Sequence, residues 1–303
     1  MPPPLPLLAV PNLSEGRERT VIDAIAAAFT AGGRTRLLDL HADPDHHRMV
    51  LTLAGGPGTF AEALTAGVGD AVRRIDVVSG PPGAPGEHPR VGAVDVLPVV
   101  YLERTQRGAA CAEALVAADR IGTELGIPVF LYGELTATEG TPERTRAQLR
   151  RGGCEGLAER MAAGEQRPDF GPSELHPTAG ATLVAAREPL VAFNLELAPP
   201  ATVTDARRIA GLIREGGAEG LQGLRAIGVT LHARSAAQVS MNVERPLELP
   251  LAAVVEAVAR HAEVAAAEIV GLAPRATLEG FPQDLSIAGF DPERQMIENA
   301  LGL

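Results

Sequence analysis

The strongest constraint on the fold is an order of elements that occurs twice along the chain. Residues 5–11, "LPLLAVP", read as a strand, and Val21, Ile22, Ile25, Ala28 and Phe29 then mark one face of a helix, with Ser14 of "NLSEG" as its expected N-cap. "TRLLDLHA" and "RMVLTLAG" follow as strands, "TFAEALTAGVGDAVRRI" as a helix and "AVDVLPVVYL" as a strand. The C-terminal part repeats the series. "PLVAFNLEL" is a strand, "TDARRIAGLIRE" a helix, "LRAIGVTLHA" and "AAQVSMNV" paired strands, "LAAVVEAVARHAEV" a helix and "EIVGL" a strand. Each series is βαββαβ, so the expected fold is α/β of the α+β kind: two ferredoxin-like subdomains, residues 1–179 and 180–303. Between the two series lie a helix from about residue 108 to 125, the strand "PVFLYGE", an arginine-rich helix and the loop "QRPDFGPSELHPTAGA".

Composition narrows the function classes. With 46% hydrophobic residues in 303, the chain can bury a substantial core. The proline-broken opening "MPPPLPLLAV" lacks a basic leader region, and no apolar run approaches the ~18 residues a membrane span needs, so a cytoplasmic address is expected. A formal charge of -11 argues against nucleic-acid binding, which draws on a basic excess. All 27 basic residues are arginine, which excludes lysine Schiff-base chemistry and leaves anion binding to guanidinium groups. Cys111 and Cys154 show no metal-knuckle or disulfide spacing and are expected as free thiols.

Polar residues concentrate in a few loops. In "GEHPRVGAVDVLP", residues 86–98, Glu87, His88 and Arg90 place a proton acceptor, an orienting carboxylate and an anion clamp within four positions. The same residues can also be read as a solvated surface loop. "LLDLHADPDHHR", residues 37–48, gathers Asp39, His41, Asp43, Asp45, His46, His47 and Arg48; Pro44 and its flanking aspartates read as a turn, either hydrated or binding a metal such as zinc or manganese. "PDFGPSELHPTAGAT" carries prolines and glycines that make a stiff loop, which serves a ligand or links domains. Glu134 ends the apolar strand "PVFLYGE", as a ligand contact or a strand terminus. Arg144, Arg146, Arg150 and Arg151 read as a solvated helix face.

In chain order, "VPNLSEG", "LLDLHADPDHHR", "GEHPRVGAVDVLP", "PVFLYGE", "PDFGPS", "GAT" and "AFNLEL" resemble the formiminotransferase family over nearly the whole chain. The specific parts are "GEHPR.GA.DV.P" and "PDFGPS". The resemblance implies transfer of a formimino group from N-formimidoyl-L-glutamate to N5 of tetrahydrofolate in histidine degradation, by two subdomains enclosing a folate tunnel. It implies His88 as the catalytic base. It also implies folate binding by Gly171, Pro172, Ser173, Glu174, Leu175, His176, Pro177, Thr178, Ala179 and Gly180. Animal members carry aromatic residues where this chain has Leu175 and Ala179, and an aspartate where it has His41.

Chemistry adds expectations to that pattern. The donor amidine is cationic, so Asp39 or Glu134 is a candidate to hold it, and Arg48 and Arg90 are candidate forks for the glutamate carboxylates. Tetrahydrofolate is expected as co-substrate without a metal, and a homodimer as the assembly, with no nucleic-acid or membrane partner. The rivals are a metal-dependent hydrolase built on the turn at 43–47 and a folate-binding protein without catalysis.

Overall fold

The computed structural model describes residues 5–79, 90–138, 142–231 and 235–303. The chain forms two compact units, Met1–Glu188 and Pro189–Leu303. Of the expected centre, Glu87 and His88 lie outside the described residues, and Arg90 lies within them.

In the first unit the opening strand is broken in two, β1 (Leu7–Ala9) and β2 (Asn12–Leu13). Proline has no N–H to give the ladder, so pairing passes around Pro11: Val10 N donates to Pro98 O at 3.0 Å, and Leu51 N to Pro11 O at 3.0 Å. Then come α1 (Arg19–Thr30), β3 (Thr35–Asp43), β4 (Arg48–Gly55), α2 (Phe60–Arg74) and β5 (Val94–Val100). The sheet runs β3, β4, β1 with β2, β5, all antiparallel, which is the ferredoxin-like order.

The first unit then grows beyond that pattern. α3 (Arg107–Leu125), β6 (Val129–Leu131), α4 (Arg146–Arg150), α5 (Gly153–Ala162) and β7 (Thr182–Arg187) follow. β7 inserts between β5 and β6, parallel to both. This strand moves the division between units to Glu188/Pro189, later than the expected boundary at 179/180, because its main chain is hydrogen-bonded into the first sheet.

Helices α1 to α3 cover one face of that sheet. Phe29, Phe60, Leu64 and Ile25 pack there on Met49, Leu51 and Leu53, all fully buried, and each such side chain contributes ~1.5–3 kcal/mol. Gly67 of α2 is required by this packing, since a Cβ there would stand 2.2 Å from the Phe29 ring. A second cluster, Val91, Val96, Phe130, Leu149, Leu157 and Leu183, joins α4 and α5 to the strands.

The second unit has the same order of elements without the extension: β8 (Val191–Leu197), α6 (Val203–Ile213), β9 (Leu224–Leu231), β10 (Ala236–Val243), α7 (Leu251–Ala259) and β11 (Val264–Val270). Its sheet runs β11, β8, β10, β9, all antiparallel, with Phe193 opposite Met241 and Ile269. Thr202 and Asp205 form a capping box that starts α6. α7 stops at Ala259, so Glu263 lies in a short connection and not in the helix that the apolar pattern suggested. Among the described residues no helix is long and apolar enough to cross a membrane.

Candidate functional site

Three of the polar stretches meet at the start of β5. Asp95 bends the chain before it: its Oδ1 accepts the Val91 N–H at 2.9 Å. Gly92 then crosses residues 179–181 at backbone contact, with Ala93 N donating to Ala179 O at 2.9 Å and Ala181 N to Val91 O at 2.8 Å. A Cβ at Gly92 would lie 1.8 Å from Ala181 O, and one at Gly180 2.3 Å from Val91 O. Ser14 fastens "NLSEG" to the same crossing, its Oγ donating to Gly92 O at 2.8 Å. Ser14 therefore does not cap α1, whose N-cap position is Glu18. The turn before the helix is held by Glu15, whose Oε1 accepts the N–H groups of Gly16, Arg17 and Glu18 at 2.8, 2.7 and 3.1 Å.

The turn between β3 and β4 supplies the next wall. Asp43 Oδ1 accepts the N–H groups of Asp45 and His46, at 2.7 and 3.0 Å, the side-chain turn expected of an aspartate before Pro44. His47 sits at φ +45°, a left-handed backbone that costs a β-carbon-bearing residue ~1–2 kcal/mol. Its Nδ1 accepts the Gly16 N–H at 3.2 Å, which puts the ring proton on Nε2. Its carbonyl accepts from Arg90 Nη1 at 3.4 Å. The result is a small cleft lined by Leu13, Ser14, His46, His47, Arg48, Arg90 and Asp95.

Guanidinium groups dominate its electrostatics. Arg48 donates through Nη2 to Asn12 Oδ1, and its pKa is lowered to about 10, chiefly by burial and then by Arg150, with Asp95 opposing and Arg146 and Arg90 adding. It remains protonated at neutral pH. Arg90 is also lowered by burial, against the pull of Asp95. Burial lowers His47 below its usual 6.5; Glu15 opposes this and Arg17 and Arg90 reinforce it, so the ring is neutral at pH 7. Burial and the nearby Asp95 push the Cys154 thiol up to about 11, which leaves it protonated and a poor nucleophile.

The structure thus brings Arg48 and Arg90 together, but not the other candidate donor-holding groups. Asp39 lies opposite Thr52, on the same sheet face as Arg48 but four residues along β4, roughly 13 Å away at ~3.3 Å per residue. Glu134 is bound elsewhere. It accepts from Tyr101 Oη and Arg107 Nε, each at 2.6 Å, past the far end of β5.

In the loop 171–180, Gly171, Pro172, Ser173 and Glu174 are exposed, while Leu175 packs against the second cluster and Ala179 is buried in the main core. Both glycines serve chain packing: at Gly171, φ +79°, a Cβ would lie 2.4 Å from Ile127 O. His176 and Gly180 exchange two 3.0 Å backbone hydrogen bonds, and His176 Nδ1 accepts the Ala179 N–H at 3.0 Å. This closes the turn through Pro177 and Thr178, whose carbonyl accepts from Val77 N at 2.8 Å.

Of the arginine-rich segment, only Arg151 is exposed as a solvated face requires. Arg150 pairs with Asp95 Oδ2 and is 12% exposed, Arg144 donates to Asp169 Oδ2 at 2.6 Å, and Arg146 lies over the Tyr132 ring at 6.0 Å. The partners stand 55 and 25 positions away in the chain for Arg150 and Arg144, beyond any local pattern.

The cleft of neutral imidazole and clustered guanidinium groups draws on "NLSEG", "DHHR" and "RVGAVD", and comparison with known families agrees with the resemblance of the whole chain to the formiminotransferases. Residues 7–187 match the formiminotransferase domain, N-terminal subdomain, and residues 192–280 the formiminotransferase domain. The chain belongs to this family. It is 38% identical over 299 residues to the glutamate formimidoyltransferase of Streptococcus pyogenes serotype M1, covering 96% of this chain and 97% of that one. It is 33% identical to the glutamate formimidoyltransferase of Thermoplasma acidophilum, covering 93% of each. The formimidoyltransferase-cyclodeaminase of Sus scrofa is 36% identical over 88% of this chain, which spans 49% of that longer protein.

Proposed function

We propose that this protein is a folate-dependent transferase that moves the formimidoyl group of N-formimidoyl-L-glutamate to N5 of tetrahydrofolate. The observation that carries the reading is the match along nearly the full length of both partners to a stand-alone glutamate formimidoyltransferase. The cleft fits it chemically. N5 attacks the amidine carbon, a tetrahedral adduct forms, and the amine of glutamate leaves. One proton departs from N5 and one reaches the leaving nitrogen. His88 serves both transfers as general base and then acid, a role typically contributing ~10²–10⁴-fold. Arg90, two residues further on, lines the cleft with Arg48, and the pair binds donor carboxylates. The loop 171–180 binds folate through its exposed Gly171 to Glu174 stretch and His176. The reading includes a homodimer in the cytoplasm, serving histidine breakdown.

The test is a spectrophotometric transfer assay with tetrahydrofolate, run with N-formimidoyl- and N-formyl-L-glutamate and repeated after exhaustive chelation. Transfer from the formimidoyl donor that survives chelation is expected. In the turn at 43–47, Asp43 Oδ1 and His47 Nδ1 are already occupied by main-chain N–H groups. Activity that vanished on chelation and returned with one divalent metal would instead favour the hydrolase.

A further inference from the structure

The stretch that carries His88 is tied at both ends to one place, the turn of residues 176–180. On its N-terminal side Val77 N donates to Thr178 O at 2.8 Å, and on its C-terminal side Ala93 N donates to Ala179 O at 2.9 Å. Asp76 sets the chain at the first anchor, its Oδ1 accepting the N–H groups of Val78 and Ser79 at 3.0 and 2.8 Å. Two consecutive carbonyls therefore hold Val77 and Ala93, and His88 lies between those two residues in the sequence.

What aims those carbonyls is the geometry of the peptide group. It is planar and trans, so its C=O and its N–H point in opposite directions, and fixing one edge aims the other. In the peptide between Thr178 and Ala179, the N–H donates to His176 Nδ1 at 3.0 Å and the C=O accepts from Val77. In the next, between Ala179 and Gly180, the N–H donates to the His176 carbonyl at 3.0 Å and the C=O accepts from Ala93. One residue thus holds the N–H edge of both planes, the first with its side chain and the second with its main chain. The Thr178 N–H also lies 3.3 Å from Nδ1, so this nitrogen is an acceptor and the ring proton sits on Nε2. Ala179 is buried, and without the imidazole its N–H would lose its acceptor, which is unfavourable.

We propose that His176 is a positioning residue for the proton transfers at His88, acting through the 176–180 turn and the two anchors that the turn carries. The inference rests on the transferase reading, which makes His88 the base. Nδ1 of His176 serves the turn, so the folate contact proposed for this ring falls to Nε2. Asparagine separates the two roles. Its Oδ1 stands as many bonds from the backbone as Nδ1 does and accepts a main-chain N–H two or three residues on, whereas nothing in asparagine replaces Nε2.

Steady-state kinetics of the whole protein, with both substrates varied, tests the idea. His176→Ala is expected to lower kcat about tenfold or more through misplacement of the base, and His176→Asn to keep kcat within about threefold. Both should raise the KM for tetrahydrofolate, since both lack Nε2. Amide hydrogen exchange followed by NMR supplies a readout that needs no activity: the Val77 and Ala93 N–H groups should exchange about tenfold faster in His176→Ala and at nearly the unaltered rate in His176→Asn. A ring that only touches folate would shift KM alike in the two variants and leave kcat alone, and that result would overturn the proposal. So would a folded His176→Asn protein whose kcat, or whose protection at the two amides, was lost, which decides the matter even if His176→Ala fails to fold. Exchange that follows the side chain at 176 in a protein without transfer activity would sink the transferase reading and keep the anchor role. Transfer with kcat unchanged in His176→Ala would do the reverse.

Discussion

The two units share one βαββαβ frame and, within it, differ most in one connection. In the second, residues 260–263 carry the chain from α7 straight into β11. In the first, the equivalent passage from α2 to β5 runs through residues 75–93 and returns to cross the backbone of 179–181. The four-stranded frame is satisfied by either connection, so the longer one is not needed for folding. It is the place where a scaffold can carry a site, and here it carries the histidine motif and Arg90. The first unit also adds β6, β7 and the helices α3 to α5, and α4 delivers Arg150 to Asp95. On the proposed reading, chemistry in this protein is an addition to one copy of a repeated frame.

The largest expected effect separates the copies directly. His88→Ala should lower turnover by ~10²–10⁴-fold with folate affinity little changed, because the imidazole moves protons and does not anchor the pterin. His261→Ala, which removes a 3.0 Å contact to Glu219 in the second unit, should leave turnover within a few-fold of the unaltered protein. Steady-state kinetics with a folate titration checks both. A His88→Ala enzyme that kept near-normal turnover, or a His261→Ala enzyme that lost it, would break the asymmetry.

Next in size is a matched pair of glycines. A Cβ at Gly92 would lie 1.8 Å from Ala181 O, and one at Gly228, where β9 passes under α6, 2.2 Å from Arg207 N. Forced packing of this kind costs ~1–3 kcal/mol, so Gly92→Ala and Gly228→Ala should destabilise to similar extents. Only Gly92→Ala should also lower kcat/KM, because it displaces the residues leading to Arg90 and Asp95. The chain has no tryptophan, and both its tyrosines, Tyr101 and Tyr132, belong to the first unit. Tyrosine emission against denaturant should accordingly shift for Gly92→Ala more than for Gly228→Ala. Equal shifts and equal kinetics would mean that the units do not act separately.

Most of the frame was legible in the amino-acid order, and much of the site was not. Apolar spacing at Val21, Ile22, Ile25 and Phe29 marks α1, and Ile22, Ile25 and Phe29 are buried as that spacing requires. The strand "TLVAAR" escaped because its position beside the glycine-rich loop suggested a boundary, and a parallel pairing with β5 leaves no local signature. Arg48 and Arg90 were singled out by residue type alone, and they line one cleft. The burial of Arg150 was not legible, since its solvated look depends on ignoring Asp95, 55 positions earlier. Glycines 171 and 180 differ again: each is needed for a close approach to another stretch of this chain. Composition announces a tight contact without naming the partner.

The smallest effect expected concerns pH and again belongs to the first unit. His47 has a folded pKa below the unfolded 6.5, mainly through burial, with Arg17 and Arg90 reinforcing and Glu15 opposing. Between that lowered value and 6.5 the unfolded chain binds more protons than the folded one, so this residue makes stability rise with pH across the window. Stability should therefore decline as pH falls from 6.5, through the proton that unfolding admits to the ring. His47→Asn removes the titration and keeps the local structure, because asparagine tolerates φ +45° and its Oδ1 can take the Gly16 N–H that the imidazole now accepts. Denaturant midpoints followed by tyrosine emission at pH 7.5 and 5.5 should fall less for the variant than for the unaltered protein. If both fell equally, the acid sensitivity of the first unit would have to come from groups other than this imidazole.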